Sequence, residues 1–190
     1  TQPSPAAPEE QAAGRQEPGQ PPSAGWPYLP AVPETVEPDS EVALENGQLR
    51  LVFTKIGARL KRAEVVLDSG QQDVVQLVPQ AQEPDTEAVY PLGLSFPAQE
   101  ELGDKLNYIP FEASLDPSGH AVTFTLTTPA LVVAKTFVLT DTPFVVDASV
   151  RIENRENAKR LLGQDQTPAY LLGWAPDVDS PDKAKGVGQA

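Results

Sequence analysis

The chain has 190 residues, of which 14 are basic and 27 acidic, for a formal net charge of -13, and it contains one histidine, no cysteine and no methionine. These counts exclude zinc fingers, iron–sulfur sites, haem thiolates, cysteine nucleophiles and disulfides, because each needs side chains that the chain lacks. The acidic charge repels polyphosphate and anionic lipid, so we expect no nucleic-acid partner and no adhesion to an anionic membrane surface.

A chain without methionine lacks the residue with which ribosomal products begin, so we expect a piece of a longer protein. No window holds the ~18 uninterrupted apolar residues of a membrane span, and residues 1–40 lack the basic start and apolar centre of a signal peptide. Any membrane or targeting element is therefore expected outside this segment.

Residues 1–39 are predicted to form a flexible, Pro-rich linker. Ten of the 21 prolines fall in residues 1–38, where small and polar residues leave almost nothing to bury. Trp26, Tyr28 and Leu29 form the one apolar cluster of this stretch. These three residues belong either to a solvated linker or to a strap that docks on the folded domain.

From residue 41 the pattern changes to short apolar segments separated by turn residues, which is typical of β-strands. Residues 41–45 and 48–53 flank Asn46-Gly47, a pair that favours a hairpin with a type I′ turn. The most regular strand pattern is the alternation over residues 122–127, and it follows Asp116-Pro117-Ser118-Gly119, which predicts a type I turn.

Two longer apolar runs, 131–139 and 144–153, are also predicted strands. The second has one apolar and one polar face, so it predicts a sheet with one side in water. The apolar face contains Val146, Ala148, Val150 and Ile152, and the polar face contains Asp147, Ser149, Arg151 and Glu153. Prolines lie within or directly after three shorter segments, which are therefore expected at sheet edges or strand ends: 73–78, 90–96 and 108–115.

One segment has mixed signals. Residues 56–67 carry apolar side chains at helical spacing but end in the β-rich run 65–67, so periodicity leaves helix and strand open. Residues 98–106 are expected to form a short helical turn, because Glu100 and Glu101 near its start and Lys105 near its end complement the helix dipole. The many short strands predict one all-β sandwich domain over residues 40–176, with little helix, followed by an acidic, glycine-containing tail at 177–190.

Few residues offer chemistry. His120 is the one histidine of the chain, and histidine is a common general acid or base, but it follows a predicted turn, which favours an exposed loop residue over a catalytic one. Asp177, Asp179 and Asp182 could bind a hard cation, although the segment lacks the glycine and the distal glutamate of an EF-hand loop. We therefore expect no catalytic residue, no metal site and no cofactor.

The apolar run near the C-terminal end is the one non-catalytic candidate site. It contains Tyr170, Leu171, Leu172 and Trp174. The plain interpretation is a core strand, and the alternative is an exposed aromatic patch that binds a partner.

Three stretches together carry a family resemblance. Residues 46–67 combine Asn46-Gly47 with Ile56-Gly57-Ala58-Arg59-Leu60 and a strand that ends in leucine. Lys135-Thr136-Phe137 lies in the predicted strand 131–139, and the segment that follows it, 144–154, ends in asparagine. The third stretch is 170–176, where Ala175-Pro176-Asp177 stands in place of the usual Gly-Pro-Gly. In this order the segments resemble the large periplasmic domain of YidC-type membrane protein insertases.

The resemblance implies a β-super-sandwich, related in fold to galactose mutarotases, in which residues 58–67 are a strand and the tail leads towards the membrane part. In this family the insertase activity resides in a transmembrane bundle, which this segment lacks. The resemblance therefore implies a non-catalytic accessory domain on the periplasmic side of the bacterial inner membrane. Its implied partners are SecD and SecF of the Sec translocon, its own transmembrane domain and nascent membrane proteins.

A second hypothesis is a free-standing carbohydrate-binding or mutarotase-like sandwich. Mutarotases rely on histidines together with a carboxylate, which a single loop histidine cannot supply. Only 6% of the residues are aromatic, so platforms for sugar stacking are scarce. The insertase accessory domain is therefore the favoured hypothesis.

Overall fold

The computed structural model describes residues 29–31, 41–68, 72–78, 90–99, 102–157, 159–164 and 166–174. Most of the predicted linker at 1–39 and all of the predicted tail at 177–190 lie outside these ranges. In chain order the described elements are β1 (Glu41–Glu45), β2 (Leu49–Thr54), β3 (Arg59–Asp68), β4 (Gln72–Gln76), β5 (Gly93–Ser95), a 3₁₀ turn (Lys105–Tyr108), β6 (Glu112–Leu115), β7 (Ala121–Thr127), β8 (Leu131–Leu139), β9 (Val146–Asn154) and β10 (Leu171–Gly173).

The strands form three antiparallel groups. One four-stranded sheet has the order β1-β2-β3-β4, and a second has the order β6-β7-β8-β9. The short strands β5 and β10 pair with each other. The predicted all-β class is therefore confirmed, and the segment with mixed signals is strand β3. The finer assignment to a β-super-sandwich stays a prediction.

The prolines mark edges as expected. Strand β4, from the segment before Pro79, is the last strand of the first sheet, and β6, which follows Pro110, is the first strand of the second sheet. Strand β5 begins two residues after Pro91 and has β10 as its partner. A proline has no backbone N–H to donate to a neighbouring strand. Segments next to prolines therefore lie at sheet edges or strand ends, where that hydrogen bond is not needed.

The first hairpin forms with a different turn from the predicted one. Gly47 has a φ of 82°, whereas Asn46 is not among the described residues with positive φ. The Asn46 side-chain carbonyl accepts hydrogen bonds from the backbone N–H groups of Gln48 at 3.3 Å and Leu49 at 3.0 Å. Asn46 therefore flanks the turn, Gly47 and Gln48 are its central residues, and the single positive φ fits a type II′ geometry better than type I′.

The predicted helical turn lies further along the chain than expected. The Gln99 carbonyl accepts hydrogen bonds from the N–H groups of Leu102 at 3.1 Å and Gly103 at 2.7 Å, which makes a tight bend before any helix. The 3₁₀ turn then begins at Lys105 and buries Leu106. Lys105, expected near the end of the helical turn, is its first residue, so the charge pattern did not locate the boundary.

The two four-stranded sheets share one apolar core. Phe53 of β2 stacks on Phe137 of β8 at 4.5 Å between ring centroids and lies 5.8 Å from Phe124 of β7. Buried residues alternate with partly exposed ones along β7 and β8, which matches the predicted period of two. Strand β9 departs from the expectation of a buried face, because Val146, Val150 and Ile152 are only partly buried and Ala148 is exposed.

The two interpretations of the linker cluster can be compared at one residue. Leu29 is partly buried and packs against the core. This contact agrees with a docked strap at that position, while Trp26 and Tyr28 lie outside the described residues.

Phe124→Ala should lower the free energy of unfolding by about 3 to 5 kcal/mol, because the ring is fully buried between two other rings and its removal leaves a cavity. Thr125→Ala, one residue further along the strand and only partly buried, should cost no more than about 0.5 kcal/mol. Denaturant midpoints of both variants measure the contrast. Equal losses would mean that the period of two does not describe this strand.

An exposed C-terminal strand and the buried lysine behind it

The candidate site is the surface formed by Tyr170, Leu171, Leu172 and Trp174, here called the β10 surface. Leu171, Leu172 and Gly173 pair with Ser95, Leu94 and Gly93 of β5 in antiparallel register. The exposed fractions are 42% for Tyr170, 49% for Leu171, 37% for Leu172 and 60% for Trp174. These values contradict the interpretation of the run as a core strand, and the interpretation as a partner-binding patch stays a prediction.

The β10 surface is exposed on both faces of its strand. Successive side chains point to opposite sides of a strand, so Tyr170, Leu172 and Trp174 share one side and Leu171 lies on the other. Both sides reach solvent. Large apolar side chains that are contiguous and exposed on a soluble protein commonly mark a contact site for another molecule.

Leu92 holds β10 in place from the strand-β5 side. Its backbone N–H donates a hydrogen bond of 2.6 Å to the carbonyl of Gly173. Leu92 has a φ of 68°, which a leucine rarely adopts. Its own carbonyl accepts a hydrogen bond of 2.8 Å from the side-chain nitrogen of Lys135. The strained residue therefore links the exposed strand to a buried lysine.

Lys135 lies on the core-facing side of β8, between Val133 and Phe137, and its exposed fraction is 0%. Its Nζ atom donates to the carbonyls of Gly57 at 2.7 Å and Leu92 at 2.8 Å, with the carbonyl of Ala58 at 3.4 Å. An ammonium has three donors, so three carbonyls match its hydrogen-bonding capacity. Among the described residues, no carboxylate forms an ion pair with it.

The turn between β2 and β3 presents two of these carbonyls because it is in a left-handed conformation. Gly57 has a φ of 70° and Ala58 a φ of 49°. A Cβ atom on Gly57 would lie 2.5 Å from the backbone oxygen of Asn107, so only glycine fits this position. The Gly57 N–H donates to the Ile109 carbonyl at 2.8 Å, which fixes the turn against the segment after the 3₁₀ turn.

Burial, together with a smaller effect of the positive charge of Arg59, lowers the pKa of Lys135 to about 7. The carbonyl acceptors act in the opposite direction, because they stabilise the protonated form. Phe111 contributes a ring whose centroid lies 5.9 Å from Nζ. Arg59 itself lies near two rings, with its guanidinium carbon 5.2 Å from the centroid of Tyr90 and 5.7 Å from that of Tyr108.

This arrangement is structural in character. A lysine with a lowered pKa can act as a nucleophile or a base when a substrate reaches it. The Lys135 nitrogen is enclosed, and its donors already point at backbone carbonyls. The residue therefore ties β8, the β2–β3 turn and the segment before β5 together.

His120 lies where the sequence predicted, next to an exposed turn. The Gly119 N–H donates to the Asp116 carbonyl at 2.8 Å, which confirms the turn. The Ser118 hydroxyl donates to the Asp116 carboxylate, and these hydrogen bonds hold the pKa of Asp116 below its usual value. The hydroxyl is thus directed at the carboxylate and not at the imidazole, which is the reverse of what a serine nucleophile needs.

The described part of the chain offers neither a cluster of metal ligands nor a membrane-spanning helix. No group of three or more histidine, aspartate or glutamate side chains there is placed to hold a metal ion. Asp177, Asp179 and Asp182 lie outside the described residues. None of the helical segments in the described ranges has the length and apolar character needed to cross a membrane.

Sequence reasoning did not identify Lys135 as a core residue. The sequence signal was the position of Lys135 in the alternating pattern of the strand. Lys135 falls on the same face as four apolar residues, Leu131, Val133, Phe137 and Leu139. A single lysine in such a row points either to a buried cation or to a strand end. The carbonyls that receive it come from positions 57, 58 and 92, which are distant in sequence, and no local pattern reveals them.

Comparison of the chain with protein families, with curated proteins and with solved structures returned no match.

The stability of the chain should depend on pH through Lys135. An unfolded lysine has a pKa near 10.4, whereas the folded value is about 7, so between these values the unfolded state binds more protons. The contribution of Lys135 to the free energy of unfolding should therefore rise with pH across this window, with a limiting slope of about 1.4 kcal/mol per pH unit. Below the folded pKa both states are protonated and the contribution is constant.

The contribution of Lys135 is separated from that of the other titrating groups by subtracting the free energy of unfolding of a variant that lacks this lysine. Urea unfolding of the chain and of Lys135→Met at several pH values between about 6 and 10 gives the difference in free energy of unfolding. Lys105→Met removes an exposed lysine and controls for the loss of a charge alone. A difference between the chain and Lys135→Met that is independent of pH would contradict the lowered pKa.

Proposed function

We propose that the chain is a non-catalytic accessory domain of a YidC-type membrane protein insertase on the periplasmic side of the bacterial inner membrane. In this role it binds the Sec translocon through SecD or SecF and assists the insertion and folding of nascent membrane proteins. Its own transmembrane domain, in the full-length chain, is the second partner. The observation that carries the proposal is the exposed β10 surface.

The β10 surface has the composition of a protein contact site. Tyrosine and tryptophan are over-represented among the residues that dominate binding energy, since they bury large areas at a small cost in side-chain entropy. Trp174 and Tyr170 flank Leu172 on one side of the strand, and all three are exposed. An aliphatic centre with aromatic neighbours suits an apolar partner surface.

The way in which β10 is held also supports a binding role. The strand is anchored through Leu92 to the enclosed Lys135, so its position follows from the core and not from a loose loop. A preordered surface loses less conformational entropy on binding than a mobile one. The enclosed Lys135 has surroundings that fit a structural role, since its donors point at backbone carbonyls.

A photo-crosslinking residue at position 171 tests the proposal directly. With p-benzoylphenylalanine in place of Leu171, we expect a crosslink to the periplasmic domain of SecD or SecF from the same organism. Position 115 is the matched control, because Leu115 is 50% exposed against 49% for Leu171 but lies on β6. Crosslinking from both positions, or from neither, would contradict the assignment of the β10 surface as the contact.

A carbohydrate-binding sandwich is the second candidate, and one specific observation favours it. Tyr170 and Trp174 lie on the same side of one strand, about 13 Å apart along it, so their rings could stack on separate sugar units of an oligosaccharide. Both rings are exposed. Stacking on aromatic side chains is a common way of holding sugars, which are apolar on one face.

Intrinsic tryptophan fluorescence distinguishes the two candidates. Titration with neutral oligosaccharides should leave the emission of the chain unchanged under the insertase proposal. A saturable change that Trp174→Ala abolishes would instead support the carbohydrate-binding candidate. Aldose mutarotation that His120→Ala removes would support the mutarotase-like form of that candidate.

A further inference from the structure

Strand β9 has a long open edge. It is the last strand of its sheet, and in the described part of the chain β8 is its one strand neighbour. Its nine residues pair with β8 in an uninterrupted register. Natural proteins usually protect an edge of this length with charged side chains, a proline or a bulge. Strand β9 contains no proline, lysine or bulge, and its charged residues, Asp147, Arg151 and Glu153, all lie on one face of the strand.

The hydrogen bonds between β9 and β8 show which residues of β9 direct their backbone N–H and carbonyl groups to the open edge. The Arg155 N–H donates to the Ala130 carbonyl at 2.9 Å, so positions 155 and 130 are a hydrogen-bonded pair. Such pairs alternate along an antiparallel ladder. The odd-numbered residues of β9 therefore bond to β8, and the even-numbered residues direct their N–H and carbonyl groups outwards.

We propose that the open edge of β9 binds the same edge of a second copy of the chain, as an antiparallel pair around a two-fold axis at Ser149. This pairing places Asp147 opposite the second copy's Arg151, and Arg151 opposite the second copy's Asp147. On the other face Val146 lies opposite Ile152, and Ala148 lies opposite Val150. The β6-β7-β8-β9 sheet of one copy then joins the same sheet of the second copy, which makes one continuous sheet of eight strands.

Charge selects this register among the neighbouring ones. An axis at Val150 would place Asp147 opposite Glu153 twice, and an axis at Arg151 would place that arginine opposite itself. An axis at Ala148 pairs Asp147 with Ser149 and gains no ion pair. An axis at Arg151 would also place Asp147 opposite Arg155 twice, but it keeps the like-charge contact of Arg151 with itself. Among these four axes, only the one at Ser149 brings two opposite-charge pairs together without a like-charge pair, and like charges directly opposite each other destabilise a sheet.

The hydrogen-bond phase agrees with the same axis. With the axis at Ser149, even-numbered residues lie opposite even-numbered residues, so the outward N–H and carbonyl groups of both strands meet. Positions 147, 149 and 151 fall in non-hydrogen-bonded pairs, whose side chains are the closer ones. The exposed Ala148 and the partly buried Val146, Val150 and Ile152 become an apolar row that crosses the interface.

The net charge of -13 on each copy opposes association, so the dimer is expected to be reversible. Salt screens this long-range repulsion between the copies, so their association is expected to depend on the salt concentration. Arg151 also contacts Glu153 of its own strand at 2.6 Å, and its side chain remains 78% exposed. The guanidinium has five donors, which allows it to bond Glu153 and the second copy's Asp147 together.

Cysteine substitution tests the axis, because the chain contains no cysteine of its own. Ser149→Cys places two thiols opposite each other in a non-hydrogen-bonded pair, at about 5 Å between Cβ atoms, so mild oxidation should give a covalent dimer. Arg151→Cys is the matched control, since its two thiols would lie four positions apart in register, at about 13 Å. Equal crosslinking of the two variants, or none from Ser149→Cys, would overturn the proposal.

Charge reversal tests the register without oxidation. Sedimentation equilibrium of the full chain should detect a dimer, and Asp147→Arg should weaken its association by about 10-fold or more, because two attractive pairs become repulsive. The double variant Asp147→Arg with Arg151→Asp should recover most of this loss. Both positions are exposed, so circular dichroism is expected to be unchanged. A chain that stays monomeric at all concentrations, or a double variant as weak as the single one, would overturn the proposal.

Discussion

The hydrogen bonds from the Lys135 ammonium to backbone carbonyls connect the parts of this structure that the sheets leave separate. Strand ladders join neighbours within each sheet, and the three phenylalanine rings join the sheets face to face. Neither contact brings the carbonyls of the Gly57 turn together with that of Leu92 in the segment before β5. A buried cation requires several acceptors around it, so Lys135 forces both backbone segments to converge on one point.

This convergence explains why strained backbone accumulates nearby. Ala58 and Leu92 adopt positive φ values that L-residues avoid, and both contribute a carbonyl to the ammonium. Strain of this kind persists when the surroundings over-determine the conformation. Here the surroundings are the ammonium on one side and, at Leu92, the carbonyl of Gly173 on the other.

The sequence was most informative where the strand period and the turn chemistry agreed. Strand β8 has the predicted bounds, and β7 begins one residue before its predicted start, since each has strict alternation and a turn next to it. The resemblance predicted a strand at 58–67, where periodicity left helix and strand open, and the structure has strand β3 at Arg59–Asp68. The exposure of β10 was not predictable, because an apolar run does not tell whether another layer covers it.

The same limit applies to strand β9 and to the first hairpin. The period of two correctly sorted the faces of β9, but the degree of burial depends on its place at the end of the sheet. At Asn46 the side chain competes with the backbone for the turn donors, which moves the turn by one residue. Both differences arise from interactions that propensities do not contain.

The shortness of β10 sets how independently it can move. Three residue pairs join it to β5, and all of its described side chains are exposed, so detachment of the strand would sacrifice little buried apolar area. The free energy of that local opening is therefore far below that of global unfolding. Amide protons of β10 consequently exchange with solvent through local opening, whereas those of β7 and β8 exchange only when the whole core unfolds. Between these openings the strand is paired with β5 and hydrogen-bonded to Leu92, so the surface that it presents to a partner is the ordered one.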